Sequence, residues 1–196
     1  MITINEITVS RNDKEIIHDF SDQISAGSIT VIIGPNGCGK STLMAAIAGD
    51  IAPEKGSITI DGVSPHLTSA SQLSKIRAMA MQNQFYSLGF TVRQIIEMGG
   101  PAQEVMSALA LMPLADRQVT TLSGGETQRV AIAQAMAQKT PVLLLDEPLA
   151  AQDGQSRQRI IEHLQELAKA GVTVVVVAHS NETELTWADK VIKQSL

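Results

Sequence analysis

Gly34-Pro35-Asn36-Gly37-Cys38-Gly39-Lys40-Ser41-Thr42 decides how this chain folds. The stretch fits the pattern G-x-x-x-x-G-K-[ST], and both flanks that the pattern requires are present. Ahead of it, Ile29-Thr30-Val31-Ile32-Ile33 is β-branched throughout and reads as a strand buried on both faces. Behind it, residues 41–49 read as a short helix that Gly49 closes. The glycines let the backbone wrap a phosphate chain with its N–H groups turned inward. The helix start adds its positive dipole end to that cradle. Lys40 then reaches the β- and γ-phosphates, and the Ser41 hydroxyl ligates Mg²⁺. A chance glycine turn would not arrive with strand, Lys-Ser and helix in that order. The stretch implies a nucleoside triphosphate site.

At 196 residues the chain is one large domain, or one domain with a subdomain. Its 15 basic and 20 acidic residues give a net charge of −5, which argues against a general nucleic-acid binder. The single cysteine, Cys38, leaves no internal disulfide to form and suits a reducing cytosol. No basic stretch followed by an apolar run opens the sequence, so no export signal is expected. The longest apolar run, 172–178 with Thr173 inside it, is far short of the roughly 20 residues that cross a bilayer. Any membrane role therefore needs another chain.

Residues 2–9 and 14–25 carry apolar positions at two-residue spacing and read as antiparallel strands, with a bulge at Asn5-Glu6. Residues 53–56 read as a turn, 57–60 as a strand and Asp61-Gly62 as a hairpin-type turn. A short helix ends near Ile76, before a strand over 77–81. From about 91 to 138 the pattern becomes helical. Val92, Ile95, Ile96 and Met98 form one segment, Val105, Leu109 and Met112 a second, and 124–138 a third with Val130, Ala133 and Met136 inward. Such Met-rich faces are core or subunit contacts. After Pro141, residues 142–145 and 172–178 read as buried strands around a helix over 155–170 with Ile160, Leu164 and Leu167 inward. The fold class is α/β: a P-loop NTPase core with a mostly parallel sheet, an N-terminal antiparallel β subdomain and a helical insertion. The chain reads as one domain, 1–196, with about 1–90 and 139–196 as core plus β subdomain and about 91–138 as helical subdomain.

A phosphate loop alone does not separate kinases, GTPases and motors. In Leu143-Leu144-Leu145-Asp146-Glu147 an apolar strand ends in a carboxylate. That delivers Asp146 to the Mg²⁺ beside the phosphate loop. Glu147 should point the other way, since adjacent strand residues face opposite sides, and can polarise the attacking water as general base. Leu122-Ser123-Gly124-Gly125-Glu126 opens a helix with free N–H groups and a hydroxyl, a second anion-binding element. One chain needs no second element for one γ-phosphate. The economical explanation is that each serves the nucleotide of a neighbouring copy.

With these motifs in place, the chain resembles the nucleotide-binding domains of ATP-binding cassette (ABC) proteins over nearly its whole length. The elements stand in the expected order: 34–42, Gln82, 122–126, Asp146-Glu147, Asp153 and His179. The resemblance implies ATP and Mg²⁺ as cofactors, and two copies (or a paired ABC subunit) closing on two ATP molecules. It implies that Gln82 senses Mg²⁺ and faces the transport partner. Ser123, Gly124, Gly125 and Glu126 would contact the opposite ATP, Asp153 would link the two sites, and His179 would hold the γ-phosphate and water beside the catalytic Lys40 and Glu147. Transmembrane permease subunits and a substrate-binding protein are the implied partners, with this chain on the cytoplasmic face of the cell membrane. A finer similarity, carried by residues 91–99 and 137–141, is to importers of iron–siderophore, haem and cobalamin.

The chain also departs from that family. Ser10-Arg11-Asn12 stands where an aromatic ring commonly stacks on adenine, so Arg11 is expected to stack through its guanidinium and base discrimination to be weak. Gln152 stands where Leu is common. The helical insertion is short, and the chain ends at Leu196, soon after His179. Cys38 reads as a small filler whose alkylation blocks ATP binding. Trp187 and the few other aromatics read as core. Two rivals remain at this point: a soluble cassette ATPase that serves assembly of another complex, and a non-hydrolysing regulatory clamp, against which Glu147 and His179 both argue.

Overall fold

The computed structural model describes residues 1–11, 14–82, 86, 89–179 and 182–195. The chain opens with β1 (Ile2–Arg11), β2 (Lys14–Ile24) and β3 (Ile29–Ile33), followed by α1 (Lys40–Ala48) and β4 (Lys55–Ile60). Next come α2 (Ala70–Leu73), β5 (Arg77–Ala80), α3 (Val92–Glu97), α4 (Gln103–Ala108) and α5 (Gly124–Ala137). It ends with β6 (Val142–Asp146), α6 (Gly154–Lys169), β7 (Thr173–Val177) and β8 (Lys190–Lys193).

β1 is the centre of an antiparallel sheet in the order β2-β1-β4. Its register shifts between Ile4 and Ile7, where Glu6 takes φ 46°. The bulge keeps Ile2, Ile4, Ile7 and Val9 all within 1% exposure although their spacing breaks strict alternation. β4 begins two residues earlier than its apolar pattern indicates, because Lys55 pairs with Thr8 across that same irregularity. Asp61-Gly62 turns the chain with φ 49° and 81°, the left-handed pair that a two-residue hairpin requires, and Ile60 bridges Val63.

The larger sheet is parallel throughout, in the order β5-β6-β7-β3-β8. Successive residues of its strands enter two different cores, as the two-residue period dictates. Val142, Leu144, Val175, Val177 and Ile32 pack with α1 and the antiparallel sheet. Leu143, Leu145, Val174, Val176 and Val31 pack with α3, α4, α5 and α6. Strands buried on both faces explain the near-continuous β-branched runs.

In the helical stretch, Thr91 and Gln94 form a capping box that starts α3. α3 stops at Glu97, so Met98 lies outside the buried stripe of Val92, Ile95 and Ile96 and is 58% exposed. Ala110 at φ 53° breaks the second segment, so Leu109 is buried but Met112 belongs to a separate 3₁₀ turn, Met112–Leu114. On α6, Ile160 and Leu164 are buried and Leu167 only partly so. The aromatics are not uniformly core: Phe90 is exposed, Phe20, Tyr86 and Trp187 are partly buried, and Phe85 lies outside the described residues.

Candidate functional site

Parallel strands bring their C-terminal ends to one edge. Ile32 of β3 pairs with Val177 of β7, and Val177 pairs with Asp146 of β6. The segments that follow these neighbours therefore emerge side by side: the phosphate loop, His179, and Asp146-Glu147. They border a cavity of about 320 Å³ lined by Asn36, Gly37, Gly39, Lys40, Ser41, Thr42, Glu147 and His179. Arg11 and Ile16, from the antiparallel sheet, complete its wall. Asn12 and Ser180 lie outside the described residues.

The phosphate loop is tied down from beneath. A Cβ at Gly34 would stand 2.2 Å from the Gln194 carbonyl oxygen and 2.7 Å from Cys38 Sγ, so glycine is needed for backbone to pass backbone just after β8. Cys38 is 1% exposed and packs under that turn, which gives it the filler role. Pro35 lies in the same turn and accepts a bond from the Cys38 N–H. Lys40 is 6% exposed, and its ammonium donates to the carbonyls of Gly34 at 2.8 Å and Pro35 at 3.0 Å. It is a buried cation held under the turn by neutral acceptors.

Asp146 accepts a hydrogen bond from the Ser41 side chain. Its Oδ1 is buried and has no hydrogen-bond partner. Burial pushes its carboxyl above the usual range, the neighbouring Glu147 charge adds to this, and Ser41, Lys40 and His179 oppose it. An unpartnered carboxylate oxygen beside a hydroxyl is a hard oxygen donor set, which fits Mg²⁺. Among the described residues no group of three or more His, Cys, Asp or Glu could hold a metal by itself.

Glu147 lies one residue beyond β6 at φ 51°. This left-handed turn, rather than strand alternation, sets its direction, since the pleat has already ended. Its N–H donates to the Val177 carbonyl at 3.0 Å, and its own carbonyl accepts from the Gln128 side chain. Both carboxylate oxygens are engaged. Gln82 Nε2 donates to Oε2 at 2.6 Å, and His179 Nε2 stands 2.6 Å from Oε1. Gln82, expected at the metal, thus has its amide nitrogen on the candidate base.

Ser123 does not line the cavity. It caps α5 in a capping box with Glu126. The Ser123 N–H and Oγ each donate to Glu126 Oε2 at 2.8 Å, and the Glu126 N–H donates back to Oγ at 3.3 Å. These bonds hold the Glu126 carboxyl below the usual range. The hydroxyl, together with the Ser123 and Glu126 N–H groups that the sequence reads as free, is therefore engaged, because the chain supplies an anion of its own at this helix start. Gly124 faces open space. At Gly125, a Cβ would stand 2.5 Å from the Ala151 carbonyl oxygen, so the loop before α6 rests directly on this turn.

Asp153 caps α6, accepting from the Ser156 N–H at 2.8 Å, and that bond holds its carboxyl below the usual range. Sequence reasoning missed Ile16, whose Cγ2 would meet a Cβ on Gly39 at 2.8 Å. It also missed the side chains of Gln128 and Arg129, which bind the loop at Gln152. Neither has a motif signal, but the polar Gln152 in an otherwise apolar loop start was a hint.

The family model described as ABC transporter matches residues 17–150. The hemin import ATP-binding protein HmuV of Rhodococcus jostii is 34% identical over 95% of this chain and 68% of that protein. The cobalamin import ATP-binding protein BtuD of Halobacterium salinarum is also 34% identical, over 97% of this chain and 52% of that protein. Among solved structures, the dimeric structure of MJ0796, a bacterial ABC transporter cassette, superposes with a TM-score of 0.85 at 25% identity, covering 99% of this chain and 95% of that one.

Proposed function

Because this chain belongs to the ABC transporter family, we propose that it is the ATP-hydrolysing subunit of an importer. In this reading two copies close on two Mg·ATP molecules and drive separate permease subunits. The cargo is an iron chelate, haem, cobalamin or a similar metal-related compound, in keeping with the relatives named for hemin and cobalamin import. A substrate-binding protein delivers it, and this chain acts on the cytoplasmic face of the membrane. No helix among the described residues is long and apolar enough to cross a membrane, so the permease would be another chain.

One observation carries the catalytic part of the reading. Glu147 is held between Gln82 and His179 at the mouth of the Lys40–Ser41 cradle. When bound, Mg²⁺ would neutralise phosphate charge and would be held by Ser41 and Asp146, while Gln82 holds Glu147. Lys40 supplies fixed positive charge to the terminal phosphates. Loop N–H groups over 34–42, Pro35 excepted, surround the phosphate chain, and Arg11 and Ile16 face the nucleoside. Glu147 accepts the proton of the attacking water. His179 fixes the carboxylate and contacts the γ-phosphate. Ser123, Gly124, Gly125 and Glu126 face the nucleotide of the second copy, and Asp153 joins the two sites. The helices of about 91–138 form a subdomain against the core, next to the permease.

A phosphate-release assay with and without Mg²⁺ tests the reading. Turnover that requires Mg²⁺ and disappears in Glu147→Gln supports it. Wild-type protein that binds ATP yet releases no phosphate would favour a regulatory clamp instead.

A further inference from the structure

Gln152 lies in the loop that joins Glu147 to α6, and its amide has all its partners inside the chain. Nε2 donates to the Gly125 carbonyl at 3.1 Å and to Gln128 Oε1 at 3.2 Å. Oε1 accepts from Arg129 Nη1 at 3.0 Å. Only one orientation of the amide satisfies these groups, since arginine offers only donors and a backbone carbonyl only accepts. The same Arg129 nitrogen donates to Ser156 Oγ at 2.8 Å, and Ser156 Oγ donates to Asp153 Oδ2 at 3.2 Å. Gln128, 8% exposed, donates its other end to the Glu147 carbonyl. One amide is thus bonded to the first turn of α5 and, through one further side chain, to the main chain of the candidate base. A leucine here would fill the space and make none of these bonds.

We propose that Gln152 is a positioning residue for hydrolysis. It ties the Ser123–Gly125 turn, which serves the partner's nucleotide, to the Glu147 of its own chain. The inference rests on the two-copy reading above. Glu147 is a turn residue at φ 51°, fixed at its N–H by Val177 and at its carbonyl by Gln128. Gln128 is itself on α5 and bonds the Glu147 carbonyl directly, so Gln152 acts by holding Gln128 Oε1 and the Gly125 carbonyl in register with the loop, and loss of that hold lets the Glu147 peptide turn. The Ala151 carbonyl lies close against Gly125, where a Cβ would stand 2.5 Å from its oxygen, so loop and helix start are in direct contact. Each site then learns through its own chain whether the other nucleotide is engaged.

The test compares Gln152→Met, which keeps the length and loses every polar contact, with Gln152→Glu, which keeps an acceptor for Arg129 and loses the donor. Both should lower kcat by about tenfold, the loss of one to two hydrogen bonds. Binding of Mg·ATP should stay within about twofold of wild type, because uniform binding is untouched. Unchanged kcat in Gln152→Met overturns the inference, as does a parallel loss of kcat, nucleotide affinity and thermal midpoint, which marks a merely structural residue. Wild-type turnover in Gln152→Glu overturns it as well. Ser123→Ala separates the two levels. If that variant keeps full turnover, the two-copy reading fails and takes this inference with it. If it is inactive while Gln152→Met is unimpaired, only the inference fails.

Discussion

His179 Nε2 stands 2.6 Å from Glu147 Oε1, across the end of β7 from the phosphate loop. The contact fixes a carboxylate that no strand geometry would fix, since Glu147 has already left β6. Gln82 holds the other oxygen, so the candidate base is clamped from both sides.

Removing the carboxylate should stop the chemistry and leave binding. In Glu147→Gln, phosphate release falls by about 10²–10⁴-fold, the range for a lost general base, while Mg·ATP affinity is kept. The ATP-bound form should run as a dimer by light scattering. His179→Ala should lower kcat more than it changes nucleotide affinity, because the imidazole contacts the Glu147 carboxylate.

Asp146 gives a pH-dependent prediction with a definite sign. Its folded-state pKa is raised by burial and by Glu147. An acid so shifted costs stability while it is ionised in the folded chain. The cost is at its full size above the raised folded pKa, shrinks as pH falls below that value, and is gone once pH is below the ordinary pKa of the unfolded chain. Asp146→Asn should therefore raise the unfolding midpoint of the ligand-free protein near neutral pH. The same variant should lose Mg²⁺-dependent hydrolysis. A midpoint that drops, with wild-type activity, would remove Asp146 from the metal site.

The fold was largely legible because its strong signals are periodic. β3, β6 and β7 announce themselves as buried runs, and the bulge at Glu6 shows as a slipped apolar phase. Short helices were less legible, because the breaks are single residues: the αL turn at Ala110 and the end of α3 before Met98. At the site, residue types revealed the phosphate loop and the carboxylates, which are specified by backbone and charge. The engagement of Ser123 by Glu126 was not visible, since a capping box and an anion cradle use the same residues at the same spacing. The bonds of Gln152 depend on how a loop lies on a helix 24 to 27 positions away in sequence, which no local pattern encodes.

Glu126 should act as an internal competitor for the second nucleotide. Neutralising it in Glu126→Gln weakens its grip on Ser123 and removes a charge from the path of an incoming triphosphate. The ATP concentration at half-maximal dimerisation should fall by about threefold to tenfold, in line with a charge-assisted bond replaced by a neutral one. A rise in that concentration would assign Glu126 to capping alone. As an acid whose folded pKa is lowered, it contributes stability above its unfolded pKa that is lost as pH falls through the folded one.

Arg11 lines the cavity beside the phosphate loop and is proposed to stack on the base. A guanidinium face discriminates purines poorly, so ATP and GTP should be hydrolysed at similar rates. An ATP preference above about a hundredfold, the full worth of a strong stacking contact, would contradict this.

The shared-site claim is tested most directly by specific ATPase activity across a dilution series, with Ser123→Ala alongside wild type. If two copies build each reaction chamber, activity per molecule falls on dilution as dimers separate, and Ser123→Ala is nearly inactive at every concentration. Activity per molecule that is constant down to fully monomeric protein, with Ser123→Ala as fast as wild type, would contradict the account.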